Sequence, residues 1–238
     1  MMLRALSADF LKIRGKGLWL LIIIAPLGLI AMQALNYGLR YDFMMKSYEG
    51  RLWDGLVMDN LFPFVPLALF LGATLVSSLL AGIEHQLSSW KQLLALPISR
   101  TAVFSAKYVL SVLLLAVSCL LLTLGAAVFG LALGFPHELP YEDLLTLSFW
   151  PLIGSLPLLA FQLWLSLTLK NQALPVFLGI AMSLGSLFTG NLGDYFPLNW
   201  PSLALQGEHH VLYLGMGTAL GLLIALLGLL HFTRKDVD

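Results

Sequence analysis

Six long stretches of this chain contain no Asp, Glu, Lys or Arg. They run approximately Leu18–Leu39, Asn60–Ile83, Tyr108–Phe135, Leu144–Leu169, Asn171–Gly193 and Val211–Leu230. A bilayer core needs about 20 apolar residues in helical form, and each stretch reaches that length. The whole chain of 238 residues is 59% hydrophobic and 11% charged. Soluble domains carry about 25% charge, so a chain this apolar cannot cover a water-facing surface. The expected fold is an all-α polytopic membrane protein with six transmembrane helices in one domain covering residues 1–238. The third stretch exceeds the core thickness, so it is expected to tilt or to extend beyond the lipid. Pro151, Pro157 and Pro175 are expected to bend the fourth and fifth spans.

Lys and Arg in the loops set the orientation. With both termini inside, the inner segments hold Arg4, Lys12, Arg14, Lys16, Lys91, Arg100, Lys107, Lys170, Arg234 and Lys235. The outer loops hold only Arg40, Lys46 and Arg51. This asymmetry predicts an N-in, C-in topology. Lys12, Arg14 and Lys16 precede the first apolar stretch as in a signal peptide. No convincing small-x-small cleavage site follows, so the span is expected to be retained. Leu3, Leu6, Phe10 and Ile13 recur at helical spacing, with Arg4, Lys12 and Arg14 largely off that stripe. Residues 1–17 are therefore expected to form an interfacial helix.

Reactive chemistry is sparse. The spans hold almost no ionisable residues away from their ends, which argues against ion-coupled transport and intramembrane catalysis. Cys119 is the one cysteine and is read as a packing residue. No metal-ligand spacing is present, and His209-His210 beside Glu208 reads as a solvated or interfacial loop. Gly15-Lys16-Gly17 lacks the upstream glycine and following Ser or Thr of a phosphate-binding loop. The expectation is no catalytic residue, no metal and no cofactor bound by this chain. Net charge is zero, and nothing points to nucleic acid. The pair Gly217 and Gly221, and the pair Gly130 and Gly134, are expected to permit close helix packing.

The most patterned polar segment lies between the second and third spans. Leu87, Trp90, Leu94 and, less cleanly, Leu93 repeat at helical spacing. Glu84 and Lys91 are seven residues apart and share a face. Pro97 ends that helix. Ser99 suits the N-cap of a new helix running through Arg100 and Lys107 into the third span. Trp90 is expected at headgroup level.

The pattern Glu84, Trp90-Lys91, Leu93-Leu94, Pro97, Ser99-Arg100 and Lys107 resembles the signature of ABC type-2 transporter permeases. One departure is that a small residue often stands at Ser89 or Trp90. The Trp90-Lys91 form looks more like the lantibiotic-immunity and bacitracin-resistance permeases. The resemblance implies an elbow helix before the first span and a coupling segment at 84–100 that docks on a separate ATPase subunit. On that reading Glu84, Trp90, Lys91, Leu94, Pro97, Arg100 and Lys107 serve coupling. It also implies short re-entrant helices in the outer loop 194–210. Tyr195, Pro197, Trp200 and Pro201 make that loop aromatic and proline-punctuated, and Tyr195 and Trp200 alternatively suit interfacial anchoring.

The expected protein is then a multi-pass subunit of an ABC exporter in a bacterial cytoplasmic membrane. Its implied partners are an ABC ATPase carrying ATP and Mg, a second permease subunit (identical or different) and membrane lipid. The expected cargo is a lantibiotic or similar amphipathic peptide. Alternatives are another cargo (a drug, a polysaccharide or a secreted factor) or a non-transporting scaffold or sensor subunit.

Overall fold

The computed structural model describes residues 2–86 and 99–234. All regular structure among them is helical. Helix α1 spans Met2–Lys12, α2 Leu18–Leu39, α3 Tyr41–Ser47 and α4 Val65–Gln86. Then come α5 Arg100–Ala132, α6 Tyr141–Gly154, α7 Leu156–Thr168, α8 Ala173–Gly185, α9 Trp200–Gln206 and α10 His210–Arg234. Five helical stretches are long and apolar enough to cross a membrane, and α6 with α7 makes a sixth if that bent pair counts as one span.

The six apolar stretches of the sequence map onto these helices with shifted ends. The first coincides with α2. The third starts earlier, at Arg100, and α5 has 33 residues. At about 1.5 Å per residue it is about 50 Å long, so it projects past a bilayer core. Ser99 caps it as its side chain predicts: the residue is extended, and its Oγ accepts from the Ala102 N–H at 3.3 Å.

The second span begins irregularly. Gly55–Leu61 is π-helical, Phe62–Phe64 is a 3-10 turn, and α4 follows. Pro63 and Pro66 remove two backbone donors, so the usual ladder cannot run through this stretch. Side chains hold it instead. Asn60 Nδ2 donates to Gly55 O at 2.6 Å, and Gln33 Nε2 of α2 donates to Asn60 O at 2.7 Å.

Helices α6 and α7, which cover the fourth apolar stretch, are bent by 49° to each other. The bend sits at Ser155, whose N–H turns back to Pro151 O at 2.9 Å and Leu152 O at 3.1 Å. Pro157 then occupies the first turn of α7, where a missing donor costs little. Pro151 lies inside α6 without ending it, and Pro175 lies in the first turn of α8.

Helix α10 packs along this break through glycines. A Cβ on Gly217 would stand 2.8 Å from Ile153 O, and one on Gly221 would stand 2.8 Å from Leu156 Cβ. The pair thus seats one span against another within the same chain. The pair Gly130 and Gly134 divides its work differently. Gly130 lies under Trp53, whereas Gly134 has open space around it and a φ of 84° that turns the chain after α5.

The segment between the fifth and sixth spans folds into Pro197–Asn199 and α9. Trp200 and Pro201 are buried, with Pro201 against Gly154 at the bend. The Trp200 indole donates to Asp194 O at 3.1 Å. Burial therefore removes Trp200 as an interfacial anchor, Pro197 is half-buried, and Tyr195 is exposed.

Candidate functional site

Helix α1, the end of α4 and the start of α5 meet at one end of the bundle. Each brings charge to that meeting. Helix α1 turns Ala5 and Asp9 inward, with Ile13 just beyond its end fully buried. Glu84 comes from the last turn of α4 and Lys107 from the second turn of α5.

The four side chains form one cluster. Glu84 Oε1 accepts from Lys12 Nζ at 2.7 Å and from Lys107 Nζ at 3.1 Å. Lys107 Nζ also donates to Asp9 Oδ1 at 3.4 Å. Lys12 and Asp9, three residues apart on α1, stand 4.0 Å from each other. Relative exposure is 0% for Glu84, 2% for Lys107 and 6% for Asp9. Two carboxylates and two ammonium groups balance each other, which is the condition for burying charge at tolerable cost. Burial pushes the Asp9 carboxyl above the usual aspartate value. Lys107 and Lys12 oppose that rise, and Glu84 adds to it.

A second tie joins the same end. Arg100 Nη1 donates to Thr233 O at 3.3 Å, linking the start of α5 to the end of α10. Trp164 Nε1 of α7 donates to His231 Nδ1 of α10 at 3.1 Å. Among the described residues no group of His, Cys, Asp and Glu is arranged to hold a metal ion.

Of the residues that the sequence singles out for coupling, three are described. Glu84 and Lys107 come together, and Arg100 stands one helix start away. Burial changes the part the first two can take: fully enclosed side chains cannot present a docking face. Trp90, Lys91, Leu94 and Pro97 lie outside the described residues. On α1, Ile13 is buried and Leu6 is half-buried, whereas Leu3 and Phe10 are exposed. Asp9 was missed by the stripe of apolar residues. Its signal is spacing: it stands four residues from both Ala5 and Ile13, on the face that turns inward.

The family model described as ABC-2 family transporter protein matches residues 5–186. That is three quarters of the chain, and it includes all four residues of the cluster. The chain belongs to the ABC-2 transporter family. Members of this family are membrane permease components, typically non-catalytic, that generally work with an ATPase subunit. No curated protein and no solved structure matches the chain.

Proposed function

We propose that this chain is the membrane-spanning subunit of an ATP-driven exporter, moved by a separate ATPase that docks on the 84–100 segment. One observation carries the reading. The two attachment points of that segment, Glu84 and Ser99-Arg100, are tied into the bundle by buried ion pairs and a cap. A force on the segment would pass directly to α4 and α5, and through Lys12 and Asp9 to α1. Coupling within a fold runs through packed side chains, ion-pair networks and rigid helices, all of which meet at this cluster. Glu84 and Lys107 then anchor the coupling element, while Lys91, Leu94 and Arg100 are its contact candidates.

The basic end bearing this segment would face the cytoplasm, where the ATPase resides. ATP and Mg would be held by that partner. A second permease subunit would complete the complex. The proposed cargo is a lantibiotic or similar amphipathic peptide, taken from the membrane for self-protection. Spans that carry charge only near their ends suit such a cargo better than a small ion.

The test is purification of the tagged chain from its own membrane. A copurifying ATPase is expected, and Lys91→Glu with Leu94→Asp should release it without lowering the amount of permease. Recovery of the intact chain with no ATPase, in conditions that preserve membrane complexes, would remove this reading. A separate measurement concerns cargo: cells holding permease and ATPase should tolerate more of a membrane-active peptide. Unchanged tolerance to every such peptide leaves the exporter reading but discards the peptide.

A further inference from the structure

The ends of α7 and α10 enclose a cleft of about 380 Å³, lined by Trp164, Leu165, Thr168, Leu169, His231 and Arg234. It lies on the same end of the bundle as the charge cluster, because Arg100 joins Thr233 there. We propose that this cleft binds the phosphate headgroup of an anionic phospholipid. The proposal rests on the chain spanning a membrane, and not on docking of an ATPase.

Charge complementarity is the first argument. The two helix ends carry Arg234 and, just past α7, Lys170. No Asp or Glu occurs between Trp164 and Gln172, or between Val211 and Arg234; beyond Arg234 the sequence continues Lys235-Asp236-Val237-Asp238, two acids that partly offset its basic charge. The nearby lysines of the cluster are neutralised by Glu84 and Asp9. By contrast, Arg234 and Lys170 make no ion pair among the described residues. Arg234 also stands where the last carbonyls of α10 draw positive charge, and this competes with an anion. A guanidinium has five donors and can serve both.

The second argument is orientation of the histidine. A backbone gap at Gly228 lets the Trp164 ring lie against α10, since a Cβ there would stand 2.9 Å from Trp164 Cγ. The indole N–H then donates to His231 Nδ1. With Nδ1 accepting, the neutral ring carries its proton on Nε2, which leaves that N–H as a donor for a ligand.

The third argument selects lipid over a free anion. Leu165 and Leu169 form apolar walls to the cleft. Leu226, Leu227 and Leu230 continue an exposed apolar face along α10. A phosphate at the helix ends and acyl chains along that face would fill both parts. Basic pockets between spans at headgroup depth bind anionic lipids in this way.

The experiment uses the full chain, purified, stripped of lipid and returned to bilayer discs of phosphatidylcholine with a minor fraction of phosphatidylglycerol. Native mass spectrometry counts the lipid that stays bound. Phosphatidylglycerol should be retained in preference to phosphatidylcholine, and less so as salt rises. Arg234→Gln should lower its retention about fivefold, the factor one basic contact to an anionic lipid surface contributes. Lys46→Gln, at the other end of the bundle, should leave it unchanged. Equal retention of the two lipids by the wild type overturns the proposal, and this outcome needs no variant to fold. Unaltered retention by a folded Arg234→Gln protein overturns it too. Inorganic phosphate binding as tightly as the lipid would make this a free-anion site and overturn the lipid assignment.

Discussion

Glu84 is the acceptor on which the buried cluster turns, because one of its oxygens takes both ammonium groups. Glu84→Gln keeps an amide oxygen as acceptor but removes the negative charge beside Lys107, leaving Asp9 at 3.4 Å as its counter-charge among the described residues. Breaking one partner of a buried pair costs about 3–5 kcal/mol. Thermal unfolding of the purified chain should show a loss of that order. Glu84→Gln combined with Lys107→Met should be less damaging than the sum of the two single changes, since the stranded charge is gone. Asp9 behaves differently. Its carboxyl is raised above its ordinary value of 3.8, chiefly by burial. Its favourable contribution is complete below that ordinary value and is lost as pH rises through the raised one. Asn at position 9 does not titrate, so the stability of Asp9→Asn relative to wild type should increase with pH across that window. Unfolding temperatures of both proteins from acid to neutral pH check the sign. Glu84 and Lys107 stood out in the sequence at fixed places in a motif, but as coupling residues; their burial against α1 was not legible. Asp9 did not stand out. A single acid on a basic, amphipathic helix reads as a solvated residue until another element covers it.

Among the elements, the helices were legible and their interruptions were only partly so. Uncharged length located the five long apolar helices and the bent pair α6–α7, with shifted ends, and Ser99 located the start of α5. The prolines announced trouble in the fourth span, but the bend falls at Ser155, between Pro151 and Pro157. A proline at the first turn of a helix does no harm, so sequence alone could not say which residue ends the helix. The π-helical start of the second span was invisible. It depends on Gln33 and Asn60, which come from two different spans. The glycine pairs were legible as packing residues, with Gly134 the exception because its role is a turn. That division yields a contrast. Gly217→Ala would press a methyl group onto Ile153 O and Gly154 Cα, whereas Gly215→Ala would meet nothing within 4 Å. Overpacking of this kind costs about 1–3 kcal/mol. Gly217→Ala should lower the unfolding temperature and Gly215→Ala should not, as a thermal melt of each protein would show. Loss in both would mean that α10 responds to helix propensity or to lipid contact and not to its seat against the bend.

At the scale of the whole molecule, the alternation of spans brings the basic ends together. Lys12 and Lys107 share the cluster, and Arg100 reaches Thr233 beside Arg234. Arg40, Lys46 and Arg51 lie at the opposite ends of α2 and α4, and Arg51 is partly offset by Asp54 at 3.3 Å. Charge asymmetry across a bilayer sets orientation, so the cluster end should be cytoplasmic. A thiol-labelling experiment can decide this in intact cells. The one native cysteine, Cys119, is buried within α5 and donates to Ser148 O at 3.4 Å, so its background labelling should be low. Lys46 and Lys170 are both exposed and lie on opposite sides of the bundle. Lys46→Cys should react with a membrane-impermeant maleimide from outside. Lys170→Cys should react only after the membrane is opened. The reverse pattern would put the segment 84–100 outside the cell, beyond the reach of any ATPase. It would end the proposed mechanism while leaving the fold and the buried cluster intact.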